Sequence, residues 1–229
     1  MEGSLAIEAL RHCALFGVAE DAALAQLAGR LRQRRFRRNE VIFHQGDPGD
    51  SLHIVDEGSV KITLPSPEGE EAIIATLRPG DFFGELALLD GASRSATAVA
   101  LEATTTLALP RDAFLDLLDH DRGLRVALLA GLAHELRRLT RHVEELHFLD
   151  LAGRLAMRLA RLAGDASPGA DEVRLDWPYT QSDLASMIGG TRQSVNKLLS
   201  ELVADGLVVL EPDALVIPSV QALVRTADR

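Results

Sequence analysis

A glycine and an arginine ten positions apart bring together groups that suit the binding of an anion. Gly84 lets the backbone approach a ligand closely, and Arg94 carries a fork of N–H donors that can neutralise a phosphate. Ser95 adds a hydroxyl and an amide beside Arg94, and Glu85 can accept a hydrogen bond from a ribose. A helix of one or two turns from Glu85 to Leu88 would offer its first amides to the same anion. The set predicts a site for a phosphodiester next to a ribose.

Short apolar runs separated by turn residues surround this set and must position it. Within residues 35–109, runs such as Val60–Leu64 alternate with turn sequences such as Gly46–Asp50. Strands of this length and spacing, with Gly, Pro and Asp in the turns, indicate an all-β barrel or jelly roll. We therefore expect a sensing β-barrel domain over residues 1–118, with short helices in its first thirty residues.

A heptad stripe of apolar residues follows the barrel segment. Its members step by three and four positions, and charged residues flank them. A long helix over residues 119–149 with one apolar stripe needs a partner surface, and a second copy in a parallel homodimer is the economical choice. Packing of the stripe on the chain's own barrel is the alternative. The stripe consists of Leu129, Leu132, Leu136, Leu139, Val143 and Leu146.

The last eighty residues contain two helices in quick succession. Thr180 caps a helix that begins at Gln181, Gly189–Gly190 breaks the chain, and Thr191 caps a second helix. Two short apolar runs around a Pro-Asp turn then predict a small hairpin. Two helices joined by a tight turn and followed by a β wing indicate a winged helix-turn-helix over residues 150–229. The expected fold class is α+β.

Composition excludes several kinds of protein. The net charge of −10 at pH 7 argues against a general polyanion binder, although a local basic patch can still bind DNA. The one cysteine, Cys13, allows no internal disulfide and no all-cysteine metal site, and it indicates a reducing cytoplasm. Its apolar surroundings predict a buried thiol. No apolar run reaches ~18 residues, so we expect no membrane span.

The densest basic run, residues 30–38, has two interpretations. Its six arginines could contact nucleic acid or an acidic partner. We favour a solvated edge strand whose charges deter pairing with another sheet, because the predicted recognition helix lies elsewhere.

The motifs of the chain resemble those of the cyclic-AMP receptor protein family of bacterial transcription regulators, also called the CRP/FNR family. The resemblance covers nearly the whole chain. It is carried by Gly46–Asp50, Gly58–Val60, Phe83–Leu89, Arg94–Thr97, Phe148–Ala156, Thr180–Ala185 and Thr191–Lys197. It implies that the ribose and phosphate of a cyclic nucleotide contact Gly84, Glu85, Leu86, Ala87, Arg94 and Ser95.

Two departures from the family pattern affect ligand and DNA specificity. Cyclic-AMP members place adjacent Thr and Ser on the dimer helix against the adenine, and the corresponding residues here are Leu139 and Thr140. Gln193 stands where those members have a Glu that reads a base. The phosphate half of the predicted site is therefore intact, whereas the base half is altered.

The resemblance implies an effector-responsive regulator that is not an enzyme and has no enzyme cofactor. Its expected effector is cyclic AMP. Its expected partners are a second copy of the chain, a palindromic site in double-stranded DNA and RNA polymerase, with no membrane involved. The expected DNA contacts are Thr180, Gln181, Thr191, Arg192, Gln193, Ser194 and Lys197.

Two alternatives remain open at this stage. The same regulator could respond to another nucleotide or to no ligand, because Leu139 changes the base half of the site. A cupin-type metalloenzyme shares the jelly-roll pattern. However, His44 and His53 are nine positions apart and the sequence has no His-x-His pair, so a cupin metal site is poorly matched.

Overall fold

The computed structural model of the chain describes residues 2–13, 15–17, 21–65 and 71–227. Two compact units divide the chain. The first consists of Met1–Pro65 and Ile73–Arg137, and the second of Ser66–Ala72 and Arg138–Arg229. No helix in the described part combines the length and the apolar sequence needed to cross a membrane.

The first unit is a pair of β-sheets with helices before, between and after the strands. In chain order its elements are α1 (Glu2–His12), α2 (Asp21–Ala28), β1 (Arg32–Phe36), β2 (Val41–Phe43), β3 (Ser51–Glu57), β4 (Val60–Pro65), β5 (Glu71–Leu77), β6 (Phe82–Phe83), α3 (Leu86–Asp90), β7 (Thr97–Ala100), β8 (Thr104–Pro110), α4 (Arg111–His120) and the first part of α5 (Arg122–Phe148).

The two sheets have the strand orders β1-β8-β3-β6 and β2-β7-β4-β5. The central pairs β3–β8 and β4–β7 are antiparallel. Residues from both sheets share one buried cluster, in which Val55 and Phe83 of the first meet Val60 and Ala98 of the second. This two-sheet arrangement and its helices confirm the predicted jelly roll and the α+β class.

The basic run forms most of an edge strand. β1 pairs with β8 on one side and is the first strand of its sheet. The side chains of Arg32, Arg34 and Arg35 are exposed. Unpaired edges are sites of unwanted strand addition, and a row of charges at the edge opposes it. The structure thus favours the edge-strand interpretation of this segment.

The larger core of the first unit lies between the sheet and the helices. Its most buried side chains are each at most 1% exposed and pack with residues of β3 and β8. They are Leu10, Phe16, Phe114 and Leu124. Cys13 belongs to this cluster, and burial raises the pKa of its thiol to about 11. The cysteine is therefore a buried neutral thiol, as its surroundings predicted.

The second unit contains a three-stranded sheet and a set of packed helices. After the last part of α5 its elements are α6 (Leu151–Ala166), β9 (Val173–Asp176), α7 (Gln181–Ile188), α8 (Arg192–Ala204), β10 (Val209–Leu210), β11 (Ala214–Ile217) and α9 (Val220–Ala227).

The small sheet has the order β10-β11-β9, with both pairs antiparallel. It forms the wing beside the two short helices α7 and α8. Helix α6 begins at a cap in which the Asp150 carboxylate accepts from the Gly153 amide at 2.8 Å. One face of α6 is buried at Leu155 and Leu159, and α9 packs against α6. The predicted winged helix-turn-helix is present.

Candidate functional site

Arg94 lies in the loop between α3 and β7, and backbone hydrogen bonds fix this loop. The amide of Arg94 donates to the carbonyl of Asp47 at 2.8 Å, and the amide of Gly46 donates to the carbonyl of Arg94 at 2.9 Å. The turn Gly46–Asp50 therefore positions the arginine, which explains why these two distant motifs occur together.

The guanidinium of Arg94 is buried, with 3% of the side chain exposed. Nη1 donates to the carbonyl of Gly84 at 2.7 Å and Nη2 donates to the carbonyl of Ser51 at 2.8 Å. Its Cζ lies 4.2 Å from the centroid of the Phe43 ring, a cation–π contact. Burial lowers the pKa of Arg94, and the nearby Asp50 opposes that shift. The group stays charged because guanidinium is an extremely weak acid.

Arg94 keeps unused donor capacity. Its Nε is buried and has no hydrogen-bond partner among the described residues. A buried N–H without a partner costs about 1–3 kcal/mol, and an anion that accepts from it recovers that cost. An arginine held by two carbonyls, with its Nε unsatisfied, is chemically suited to bind a phosphate oxygen.

Two positions need glycine because neighbouring atoms occupy the space that a Cβ would fill. Gly84 has a φ of +84°, and a Cβ on it would collide with Nη1 of Arg94. A Cβ on Gly49 would collide with the Cβ of Ala87. Gly84 thus allows its carbonyl to reach the guanidinium, and Gly49 lets the turn before β3 pack onto α3.

Glu85 stands at the N-cap of α3, immediately after this glycine. Burial raises the pKa of Glu85, the carboxylate of Glu135 on α5 raises it further, and Arg94 opposes the shift. A carboxylate that loses water on burial gains from hydrogen-bond donors, and a pair of ribose hydroxyls would supply them.

The other predicted phosphate-site residues lie around the same loop. Ser95 is exposed and its carbonyl accepts from the Gln45 side chain at 3.2 Å. Leu86 is 45% exposed, whereas Ala87 is buried. The structure brings Gly84, Glu85 and Arg94 together. Leu86 and Ala87 follow Glu85 in α3, and Ser95 follows Arg94 in the loop before β7.

Sequence reasoning missed four residues that surround Arg94. Phe43 stacks on the guanidinium, the Ser51 carbonyl accepts from it, and Asp50 lies 3.5 Å from Nη2. His53 lies on β3 with its ring stacked on Phe83, at 5.2 Å between centroids. The signal for Asp50 was the polar end of the Gly-rich turn, but nothing in the sequence gave Phe43 or His53 a role.

Leu139 and Thr140 belong to the second unit, and the described side chains of both are exposed on α5. The apolar stripe shares this exposure. Leu132 is half-buried and packs against the core of the first unit. The exposed fractions of the other members are 66% for Leu129, 66% for Leu136, 38% for Leu139, 63% for Val143 and 45% for Leu146. Most of the stripe is therefore exposed in the described part of the chain.

The helix-turn-helix is fixed by its caps. The Thr180 hydroxyl accepts from the Asp183 amide at 3.1 Å while the Asp183 carboxylate accepts from the Thr180 amide at 2.9 Å, which completes a capping box. Gly189 ends α7 with a φ of +67°. The Thr191 hydroxyl accepts from the Ser194 amide at 3.1 Å and begins α8.

Helix α8 presents one polar face to solvent. Val195, Leu199 and Leu202 are buried on the opposite side. The side chains of Arg192, Gln193 and Lys197 are exposed, and Lys197 lies 3.8 Å from Glu201 on the next turn. Ser194 is half-buried.

Gln181 also has a partner within the protein. Its amide donates to the side chain of Asn196 at 2.9 Å, which links α7 to α8. Asn196 was not among the predicted contacts.

Comparison with known proteins finds family matches for both the segment around Arg94 and the helix-turn-helix segment. Residues 33–121 match the model of the cyclic nucleotide-binding domain, and residues 153–226 match that of the Crp-like helix-turn-helix domain. The CRP-like cAMP-activated global transcriptional regulator of Mycobacterium tuberculosis is 32% identical over 223 residues, which cover 96% of this chain and 99% of the relative.

This chain belongs to the CRP/FNR family.

Further similarities support the membership. The cyclic AMP receptor protein of Thermus thermophilus is 34% identical over 182 residues, which cover 80% of this chain and 82% of the relative. The crystal structure of a CRP/FNR-family transcriptional regulator from Thermus thermophilus has a TM-score of 0.69 at 28% identity, covering 86% of this chain and 99% of that one.

Membership establishes the general kind of activity. CRP/FNR proteins are DNA-binding transcription regulators, and the chain has both the nucleotide-binding domain and the DNA-binding domain of the family. The metalloenzyme alternative gains no support from the comparisons. Within the described residues, no three His, Cys, Asp or Glu side chains converge on one point.

Proposed function

We propose that this CRP/FNR-family protein is a homodimeric regulator whose affinity for a palindromic DNA site is controlled by cyclic AMP. In this proposal residues 1–118 sense the effector, residues 119–149 form the dimer helix and hinge, and residues 150–229 bind DNA. RNA polymerase is the further expected partner, and the protein acts in the cytoplasm. The protein is a regulator and not an enzyme.

The observation that carries the proposal is the buried Arg94 guanidinium. It is held in place by two backbone carbonyls, its Nε has no hydrogen-bond partner in the described structure, and the Glu85 carboxylate interacts with it electrostatically. The cyclic phosphate would accept from Arg94 and from the hydroxyl or amide of Ser95. Glu85 would accept from the ribose, and Gly84, Leu86 and Ala87 would provide the backbone of the site.

The base half of the effector site is assigned to Leu139 and Thr140 on α5. Thr140 retains a hydroxyl that can bond to a purine edge, whereas Leu139 offers only apolar contact. Relatives named as cAMP-activated support cyclic AMP as the effector. Leu139 favours a second candidate, in which the same protein responds to another nucleotide or to no ligand.

The dimer rests on the exposed stripe of α5. A row of large apolar side chains in water costs about 25 cal/mol for each Å² that a partner could cover. A second copy packed in parallel would cover Leu129, Leu136, Leu139, Val143 and Leu146 together, with Leu132 at the edge of the seam.

The DNA contacts are assigned to the caps and to the polar face of α8. Thr180, Gln181, Thr191 and Ser194 would bind phosphates near the two helix N-termini. Arg192, Gln193 and Lys197 would reach base edges in the major groove. Two copies related by a two-fold axis read two half-sites, so the site would be palindromic.

The direct test is a calorimetric titration of the full chain with cyclic AMP and, in parallel, cyclic GMP. We expect saturable binding of cyclic AMP at one molecule per subunit. Tighter binding of cyclic GMP would favour the second candidate. Absence of binding by either nucleotide would overturn the effector part of the proposal.

A further inference from the structure

A series of four hydrogen-bonded side chains, Thr106, His53, Ser51 and Asp50, runs from the interior of the first sheet to the edge of the Arg94 site. We call this series the relay. It begins at Thr106 on β8, which is fully buried. The Thr106 hydroxyl lies 3.1 Å from Nδ1 of His53, and Nε2 of His53 lies 3.3 Å from the hydroxyl of Ser51. The Ser51 hydroxyl donates to a carboxylate oxygen of Asp50 at 2.8 Å.

The single hydrogen of the Ser51 hydroxyl determines which group donates and which accepts in each hydrogen bond of the relay. The Ser51 hydroxyl has one hydrogen, and it is used on Asp50, so the same oxygen can only accept from His53. Nε2 of His53 must therefore carry the proton, and Nδ1 must accept from Thr106. Burial lowers the pKa of His53 to about 4, with the nearby Arg94 cation adding to the shift, so the ring is neutral at pH 7. A neutral Nε2–H imidazole fits both bonds.

The relay ends at the carboxylate of Asp50, which lies near Arg94. The oxygen of Asp50 that accepts from Ser51 also lies 3.5 Å from Nη2 of Arg94. The Asp50 side chain is 86% exposed, whereas that of Arg94 is 3% exposed. An exposed ion pair on its own holds a side chain weakly. The hydrogen bond from the Ser51 hydroxyl holds this carboxylate on the side of the arginine.

We propose that Asp50 is an internal competitor for the anionic group of the effector, held against Arg94 by the relay from Thr106 through His53 and Ser51. This inference rests on the proposed function, because it assumes that Arg94 receives a phosphate. A phosphate that accepts from the unsatisfied Nε in bidentate geometry also accepts from Nη2, and the Asp50 carboxylate lies 3.5 Å from Nη2. The phosphate must displace Asp50, so the relay sets the effector affinity below what Arg94 alone would give.

Removal of the competitor should therefore strengthen binding, which damage to the site would not do. We expect Asp50→Asn to lower the Kd for cyclic AMP about two- to fivefold, the range that an exposed ion pair supports. Ser51→Ala keeps every charge and releases the carboxylate, and we expect it to lower the Kd about twofold. Both would be measured by calorimetry on the full chain.

Asp47→Asn is the matched control. Asp47 lies in the same turn and its charge also acts on Arg94, but its carboxylate accepts from the His44 amide at 2.8 Å. An Asn oxygen can keep that bond. We expect this variant to change the Kd less than Asp50→Asn does, because it removes a charge without removing a competing contact.

The outcomes separate the inference from the proposed function. If the wild-type chain binds no cyclic nucleotide, the proposed function fails and the inference fails with it. If the wild type binds and Ser51→Ala leaves the Kd unchanged, Asp50 is not held by the relay and the inference is overturned. Equal tightening by Asp47→Asn and Asp50→Asn would also overturn it, because general charge repulsion would then explain both.

Discussion

At the scale of single residues, Arg94 is the central group of the proposed effector site. Arg94→Ala should reduce cyclic AMP affinity about a hundredfold or more, because two charge-assisted hydrogen bonds to the phosphate are lost in a buried site. Calorimetry on wild type and variant measures this change. Arg94→Lys is the control, since it keeps the charge and loses the fork, and it should give an intermediate affinity.

The dimer should survive this substitution, because Arg94 lies outside the α5 stripe. Light scattering of Arg94→Ala reports the mass of the particle. Equal cyclic AMP affinity in Arg94→Ala and wild type would remove Arg94 from the effector site.

His53 gives a second prediction, on stability. The pKa of His53 is lowered from 6.5 to about 4 in the folded chain, chiefly by burial. Between these two pH values the unfolded chain binds a proton that the folded chain refuses, so stability falls as the pH drops from 6.5 towards 4. The total loss from this residue is ~3 kcal/mol, and above pH 6.5 the effect disappears.

The measurement is urea unfolding of wild type and His53→Gln across this pH range. The difference in unfolding free energy between the two should change with pH, because glutamine does not titrate. His44→Gln, at an exposed position, serves as the control for loss of a histidine. A constant difference between wild type and His53→Gln would show that His53 titrates alike in both states.

Gln193 gives a prediction on the DNA code. An amide has a donor and an acceptor and pairs with adenine, whereas a glutamate only accepts and favours the amino group of cytosine. Gln193→Glu should therefore shift one half-site position towards cytosine by ~1–3 kcal/mol of discrimination. A binding selection over randomised half-sites with both proteins measures it. Unchanged base preferences at every position would mean that residue 193 does not read DNA.

At the scale of elements, α5 is the decisive one. Leu136→Asp would place a charge in the apolar seam, opposite its own copy across the two-fold axis, and should convert the dimer to monomer. Arg137→Asp introduces the same side chain one position away from the stripe and should leave the dimer intact. Light scattering distinguishes them, with circular dichroism to verify folding. A dimeric Leu136→Asp protein would place the interface elsewhere.

Elements with strong local signals were predictable from the sequence. The caps at Thr180 and Thr191, the Gly189 turn and the strands of the jelly roll are where the pattern placed them, because caps and turns depend on adjacent residues. The two-residue strand β6 and the short helices α4 and α9 were not predicted as separate elements. Their pairing or packing depends on contacts with distant parts of the chain.

In the effector site too, residues with local signals were predictable and residues brought in by distant contacts were not. Gly84, Glu85 and Arg94 lie close together in sequence and have distinctive chemistry, so the pattern identified them. Asp50 approaches Arg94 because the backbone of the Gly46–Asp50 turn is hydrogen-bonded to that of Arg94, and His53 lies opposite Phe83, next to Gly84, because β3 pairs with β6. No local signal specifies either pairing. A histidine in an apolar strand also has an ordinary structural explanation, so its sequence alone gave it no function.

At the scale of the whole molecule, the proposal links an effector site built on Arg94 to a DNA-binding site on α8. Effector binding can alter DNA binding only if the effector prefers one of two conformations of the dimer. The C-terminal residues 151–229 contain eight basic and ten acidic side chains, so general attraction to DNA is weak. Specific binding then depends on how the recognition helices are aimed, which makes it sensitive to such a preference.

The most direct measurement is the affinity of the protein for its selected DNA site with and without cyclic AMP, by fluorescence anisotropy at fixed salt. Allosteric coupling of the usual size predicts that saturating cyclic AMP tightens DNA binding about 5- to 150-fold in the wild type and leaves Arg94→Ala unchanged. The same DNA affinity in the presence and absence of cyclic AMP for the wild type would contradict the account.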